Sequence, residues 1–207
     1  RDKNVAALYQ MGPDRPGMPP HWVSCVSVDN VDDVVEKVKS SGGTALAEPM
    51  DVMDAGRMAM IQDPTGAAVA LWQAKAHIGA DICNEPGALS WNELLIHDPE
   101  RAKTFYPSVC GWGSHTADLG GVDYTAFLVG ERSNAGMRKI QDEWGDMPSN
   151  WIVYFAVGDC DASAEKVKSL GGTVLMPPSD IPQVGRFAAV QDPQGAYLTV
   201  IELANPE

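Results

Sequence analysis

The chain has 207 residues, 44% hydrophobic and 21% charged, with 28 acidic against 15 basic side chains and a net charge of −13. This is the composition of an ordinary globular protein, enough chain for one large domain or two small ones. The acidity repels a phosphate backbone and an anionic membrane and no basic stripe offsets it, so no nucleic-acid partner is expected.

No run of 18 or more apolar residues offers a membrane-spanning helix, and no charged-then-apolar leader is recognised. Cys25, Cys83, Cys110 and Cys160 stand at no CxxC spacing, which fits small buried hydrophobes in a reducing compartment. A cytoplasmic location is the expectation.

Taken in chain order, the first segment gains meaning only from a repeat. Residues 1–20 align with the end of a later unit, Lys3 to Gln10 against Arg132 to Lys139. Residues 21–75 form a whole unit. Residues 22–28 read as a strand, Asp32 to Ser40 as a helix with acid at its start and lysine near its end, and Gly42-Gly43 as its stop. Thr44 to Leu46 begins a strand, 57–62 is another, and Asp63-Pro64-x-Gly66 is a tight turn into a last strand at 67–73. Residues 76–87 are a linker. The order strand, helix, strand, strand, strand is a βαβββ module.

Residues 88–149 repeat the pattern with weaker likeness. Leu89 to His97 alternates as a strand does, and Pro99 to Val109 has helical spacing. Gly111-Trp112-Gly113 breaks it, and strands follow at Tyr124 to Val129 and Asn134 to Ile140 around a Gly130-Glu131 turn. Asp142 to Asn150 is a polar connection. Residues 150–204 then restate the first whole unit. Trp22 to Ala74 aligns with Trp151 to Leu203 without a gap, about two positions in five being identical, which marks a duplication.

The domains predicted are therefore 1–75, N-terminally incomplete with one whole module at 21–75, and 88–204, complete with modules 88–149 and 150–204. Some 50 residues of a longer protein, about one repeat, are expected to precede Arg1. The alternative is a genuine partial first domain with an open sheet edge needing cover.

Phe105-Tyr106 before Gly111-Trp112, Gly185-Arg186-Phe187 with Asp192-Pro193-x-Gly195, and their first-copy partners resemble the vicinal oxygen chelate superfamily of glyoxalases, bleomycin-resistance proteins and extradiol dioxygenases. With the Trp-Asn-Glu-Leu strand, the likeness extends to two-domain bacterial members labelled hydroxylase or glyoxalase-like. The resemblance implies an α+β fold in which paired βαβββ modules form curved mixed sheets around a cleft.

It also implies where a metal would be held. The ligand positions map to Trp91, Ile152 and Val23 on the opening strands, and to Thr199, Ala70 and Asn134 on the closing ones. None supplies an imidazole or a carboxylate, so no cofactor and no divalent metal is expected. The same register turns Trp91, Glu93, Leu95 and His97 to one side of their strand, Ile152, Tyr154 and Ala156 to one side of theirs, and Tyr197, Thr199 and Ile201 likewise. Trp91, Leu95, Asn134, Ile152, Tyr197 and Thr199 are the predicted ligand-binding residues.

Glu93 lies between Trp91 and Leu95, where an unpaired carboxylate is costly; burial would raise its pKa and fit it for acid–base work. Glu93 and Tyr154, its expected hydrogen-bond partner, are the catalytic candidates. The plainer alternative pairs Glu93 with an arginine such as Arg186. His97 reads as a solvated turn residue, and His21, His77 and His115 carry no role. Trp22 and Trp151 recur at matching positions and read as packing; Arg57 and Arg186 read as hairpin tethers.

Three functions stay open: a metal-free module binding a small, partly apolar molecule in the 88–204 cleft, a glyoxalase- or hydroxylase-type enzyme (lyase or oxidoreductase) using Glu93, and a structural domain with a filled pocket. A homodimer is expected on sheet-edge grounds.

Overall fold

The computed structural model describes residues 3–12 and 17–205. They form an α+β fold of three βαβββ modules with mixed sheets. Residues 3–12 carry no strand, so the likeness of Lys3–Gln10 to Arg132–Lys139 is not matched by like structure. The chain divides into two compact units, one of Val23–Ile78 with Trp91–Trp151, the other of the described residues of Arg1–Trp22, Gly79–Ser90 and Ile152–Glu207.

The first unit holds two modules. In one, β1 (Cys25–Ser27) is followed by α1 (Val31–Ser40), β2 (Thr44–Val52), β3 (Gly56–Gln62) and β4 (Ala68–Ala74), with strand order β1-β4-β3-β2. In the other, β5 (Leu89–Ile96), α2 (Pro99–Cys110), β6 (Gly113–Asp118), β7 (Asp123–Val129) and β8 (Arg132–Lys139) run in the order β5-β8-β7-β6. Each opening strand is parallel to the last strand of its module, and the rest are antiparallel.

The helices form where side chains satisfy their first N–H groups and one face is apolar. Asn30 caps α1 through Asp33 N, and Asp98 caps α2 through Arg101 N with Pro99 behind it. Val31, Val34, Val35 and Val38 make the buried stripe of α1; Ala102, Phe105, Tyr106 and Val109 make that of α2. Both stripes enter one core with Ile61, Val69 and Leu71 from the first sheet and Leu94, Ile96, Phe127 and Met137 from the second. At the centre, the Tyr106 hydroxyl donates to Asp63 Oδ2 and accepts from Trp151 Nε1, each at 2.9 Å. Trp112 stacks on the Tyr106 ring at 5.7 Å.

The other unit carries the third module: β9 (Asn150–Ala156), α3 (Cys160–Ser169), β10 (Thr173–Ile181), β11 (Gly185–Gln191) and β12 (Tyr197–Leu203), ordered β9-β12-β11-β10. It repeats the first module in detail. Asp159 caps α3 as Asn30 caps α1. Arg186 grips Asp161 with Nε and Nη2 and Asp180 with Nη1, as Arg57 grips Asp32 and Asp51. Each arginine ties a helix start to a hairpin, the tether expected from sequence.

The Gly-Gly pairs do two things. Gly42 and Gly171 take φ of +85° and +84°, which favours glycine. At Gly43 and Gly172 a Cβ would stand 2.8 Å and 2.7 Å from the carbonyl oxygens of Gln62 and Gln191. The β6 strand was not apparent in the sequence, because Gly-Ser-His-Thr-Ala-Asp is exposed throughout and has no apolar alternation.

Candidate functional site

On β5, Leu94 and Ile96 belong to the core beneath α2. Alternation therefore turns Trp91, Glu93 and Leu95 to the face away from the helix. On β8, Ala135 and Met137 lie in that core, so Gly136 and Arg138 share the face turned from the helix. Register joins the strands into two rows. One runs Glu93–Gly136–Ala126–His115, the other Leu95–Arg138–Tyr124–Ala117.

Two side chains meet over Gly136. Trp91 Nε1 donates to the Tyr124 hydroxyl at 2.9 Å. A Cβ on Gly136 would collide with the Tyr124 hydroxyl and stand 2.7 Å from Trp91 Nε1. Tyr124 from β7 and Trp91 from β5 thus lean across the sheet toward one another, over the residue that has no side chain.

Glu93 is 6% exposed. Arg138 Nε lies 3.7 Å from its Oε2, an ion pair too long for a hydrogen bond, and this buried Nε makes no hydrogen bond among the described residues. The guanidinium stacks on the Trp144 ring at 4.6 Å. Burial, and after it the charge of Glu93, pushes the Tyr124 hydroxyl above the usual phenol range, so it stays a proton donor at neutral pH.

Asn134 is exposed on β8, beside a register shift between Phe127 and Leu128 of β7. Arg186, the arginine considered for Glu93, is engaged with Asp161 and Asp180. His97 is exposed and bonds the Met147 carbonyl at 2.9 Å.

In the other unit, Tyr154 and Thr199 are cross-strand partners on β9 and β12, 9% and 3% exposed. Val200 and Leu198 face α3, so Thr199, Tyr154, Ile152 and Tyr197 lie on the side away from it. Tyr197 is 60% exposed. Trp22 packs on Phe155 at 4.9 Å.

Sequence reasoning thus assembled Trp91, Glu93 and Leu95 on one face, but missed Tyr124, Gly136 and Arg138. The alternating Tyr124/Ala126 and Gly136/Arg138 pairs were the available signal; choosing them needed the strand register.

The positions marked for a metal do not fit one. The Trp91 indole nitrogen spends its hydrogen on Tyr124 and has no lone pair to give. Val23, Ala70 and Ile152 are hydrocarbon, and Asn134 and Thr199 are weak neutral donors. Among the described residues, no three His, Cys, Asp or Glu side chains are grouped to hold an ion.

Three βαβββ modules, with polar side chains gathered on sheet faces turned from the helices, define a protein of glyoxalase-like fold. The chain belongs to the Glyoxalase/Bleomycin resistance protein/Dioxygenase superfamily, whose model matches residues 1–71 and 88–200. It is 46% identical over 202 residues to "Putative glyoxylase CFP32" of Mycobacterium tuberculosis, covering 97% of this chain and 77% of that protein. It is 37% identical over 195 residues to "Anthracycline biosynthesis protein DnrV" of Streptomyces peucetius, covering 94% and 70%. Among solved structures, the 2,2',3-trihydroxybiphenyl 1,2-dioxygenase of Sphingomonas wittichii strain RW1 superposes with a TM-score of 0.61 at 16% identity, over 90% of this chain and 72% of that one. That likeness is one of fold. Among the described residues, no helix is long and apolar enough to cross a membrane.

Proposed function

We propose that the chain binds a small, partly apolar molecule on the face of β5, β8 and β7 turned from α2, without the family metal. The observation that carries this reading is the aromatic pair Trp91–Tyr124 lying over Gly136 beside the buried Glu93. An apolar, aromatic surface with a few fixed polar groups is the usual make-up of a small-molecule site. The relative named for anthracycline biosynthesis is consistent with an aromatic ligand. Tyr154 and Thr199 are proposed to face ligand on their own sheet, on the side turned from α3. The net charge of −13 supports a role away from nucleic acid and anionic membranes, and a cytoplasmic homodimer remains the working form.

A second reading makes the same face a lyase or oxidoreductase site with Glu93 as acid or base, favoured by the burial of that carboxylate, 6% exposed, on the face that carries Trp91. A thermal-shift screen of planar aromatics against aliphatic controls tests the binding. Ligand at about 100 times its Kd raises stability by about 2.7 kcal/mol. Aromatics should raise Tm in the wild type and not in Trp91→Ala. A shift that persists in Trp91→Ala, or no shift with any aromatic, sinks the reading; stoichiometric Zn, Ni, Mn or Fe in the purified protein sinks its metal-free part.

A further inference from the structure

We infer that the ligand of this face is an uncharged, planar molecule whose carbonyl oxygen accepts hydrogen bonds from the Arg138 guanidinium. This rests on the binding reading above and adds the ligand's chemistry to it.

A guanidinium carries five N–H donors and no acceptor. That of Arg138 makes no hydrogen bond among the described residues. Glu93 Oε2, 3.7 Å from Nε, supplies an opposite charge but stands beyond hydrogen-bonding distance. The Trp144 ring lies 4.6 Å from the guanidinium carbon, and an aromatic face attracts the cation without offering it an oxygen. The side chain is 33% exposed while its Nε is buried, so the Nη nitrogens are the donors that an incoming molecule meets. Two neighbours thus hold the group in place and leave its donors unspent, which lowers the cost of ordering it around a ligand.

Register and charge define the rest of the ligand. Across the strands Arg138 is paired with Leu95 on one side and Tyr124 on the other, and Tyr124 is bonded to Trp91. A planar molecule laid against the Tyr124–Trp91 pair would present an edge to Arg138, the residue beside Tyr124 in the same row. Glu93 already offsets the charge of the arginine, so the acceptor that fits is an uncharged one. A carboxylate would bring a second anion to a single cation, on a chain whose net charge is −13. A ketone or quinone oxygen on an aromatic ring meets the need, because its lone pairs lie in the ring plane and point outward from the edge.

The test compares 2-acetylnaphthalene with 2-isopropenylnaphthalene, the same outline with a methylene group in place of the carbonyl oxygen, by equilibrium dialysis against the full chain. The wild type should bind the ketone tighter by about tenfold or more, the value of a hydrogen bond from a charged donor. In Arg138→Met that ratio should fall to near one with the far-ultraviolet dichroism unchanged. The anion 2-naphthoate should bind the wild type more weakly than the ketone does, and the gap should narrow in Glu93→Gln, which leaves the arginine uncompensated. Equal binding of ketone and alkene by the wild type, or a ratio unmoved in Arg138→Met, overturns the inference and leaves aromatic binding standing. So does 2-naphthoate binding tighter than the ketone, or a gap unmoved in Glu93→Gln, since the ligand would then not be chosen for its neutrality. Failure of the wild type to bind any of the three compounds overturns the binding reading and this inference together.

Discussion

Removing the Tyr106 hydroxyl should be among the costliest single-atom changes in the unit containing α1 and α2. Tyr106 is fully buried, and its hydroxyl is bonded on both sides, to Asp63 Oδ2 and from Trp151 Nε1, each at 2.9 Å. Asp63, 4% exposed, also accepts from Thr65 N, Thr65 Oγ1 and Ala67 N at 2.8, 2.7 and 3.1 Å. In Tyr106→Phe the carboxylate keeps its turn contacts but loses the tyrosine, while the indole N–H loses its acceptor. A hydrogen bond to a charged group is worth about 1.5–3 kcal/mol, and a buried unsatisfied donor costs about 1–3. The two losses overlap, so the expected destabilisation is about 3 kcal/mol. With a urea slope of about 1–3 kcal/mol per molar, the midpoint falls by about 1–3 M. Trp112 and Trp151 touch the Tyr106 ring, at 5.7 and 5.4 Å, so tryptophan fluorescence reports the affected unit directly. A loss below about 0.5 kcal/mol would show that the hydroxyl is no more than a space-filler and refute the reasoning.

Three further outcomes are expected. Arg57 holds Asp32 below the ordinary carboxylate range by hydrogen bonding, and Arg186 does the same to Asp161. A folded pKa set below the unfolded value of about 4 contributes stability above that pH, lost as the pH falls toward the folded value. The Arg57→Gln, Arg186→Gln double variant should therefore show a flatter fall of Tm between pH 5 and 3 than the wild type, and parallel curves would contradict it. Burial pushes the Cys110 thiol up to about 12, and burial with the nearby Asp161 charge pushes Cys160 up to about 11. Iodoacetamide at pH 8 should thus label exposed Cys83 first and leave Cys110 and Cys160 unmodified until urea is added, as read by peptide mass. Asp159 caps α3 through Ala162 N at 2.8 Å, and Asp159→Ala should cost about 1 kcal/mol in urea unfolding; no change would deny the cap a role.

The fold was legible because its punctuation is local. Proline at the second corner of Asp-Pro-x-Gly, glycine pairs after the helices, and acid before them act within a few residues, and the gapless repeat doubled every such signal. The faces of β5, β9 and β12 were legible as well, since alternation is a property of one strand. What escaped was whatever one strand does to another. The Trp91–Tyr124 contact joins β5 to β7 across β8, and Gly136 is important for the side chain it lacks. No spacing along the chain encodes that. The exposed β6 escaped because its strand pairing with β7, rather than an apolar pattern, defines it.

The two matching modules also show how a repeat separates architecture from specialisation. Asp63 and Asp192 both accept from the backbone N–H groups of their turns, and Gln62 and Gln191 both bond the turn glycine carbonyl. Gln73 and Glu202 bond the first N–H of α1 and α3 from equivalent places. Even the bulges fall at matching positions, between Ala45/Ala47 and Met50 in one hairpin and Val174/Met176 and Ser179 in the other. What two copies share to this degree is the set of interactions any such module needs to fold. The aromatic pair that carries the proposed binding lies where the middle module departs from both: Trp91 stands at the repeat position held by Val23 and Ile152 elsewhere, with Tyr124 across the sheet from it. A surface free of folding constraints common to all three modules is the one able to specialise, and in this chain it carries a hydrogen-bonded indole–phenol pair on the same face as a buried carboxylate.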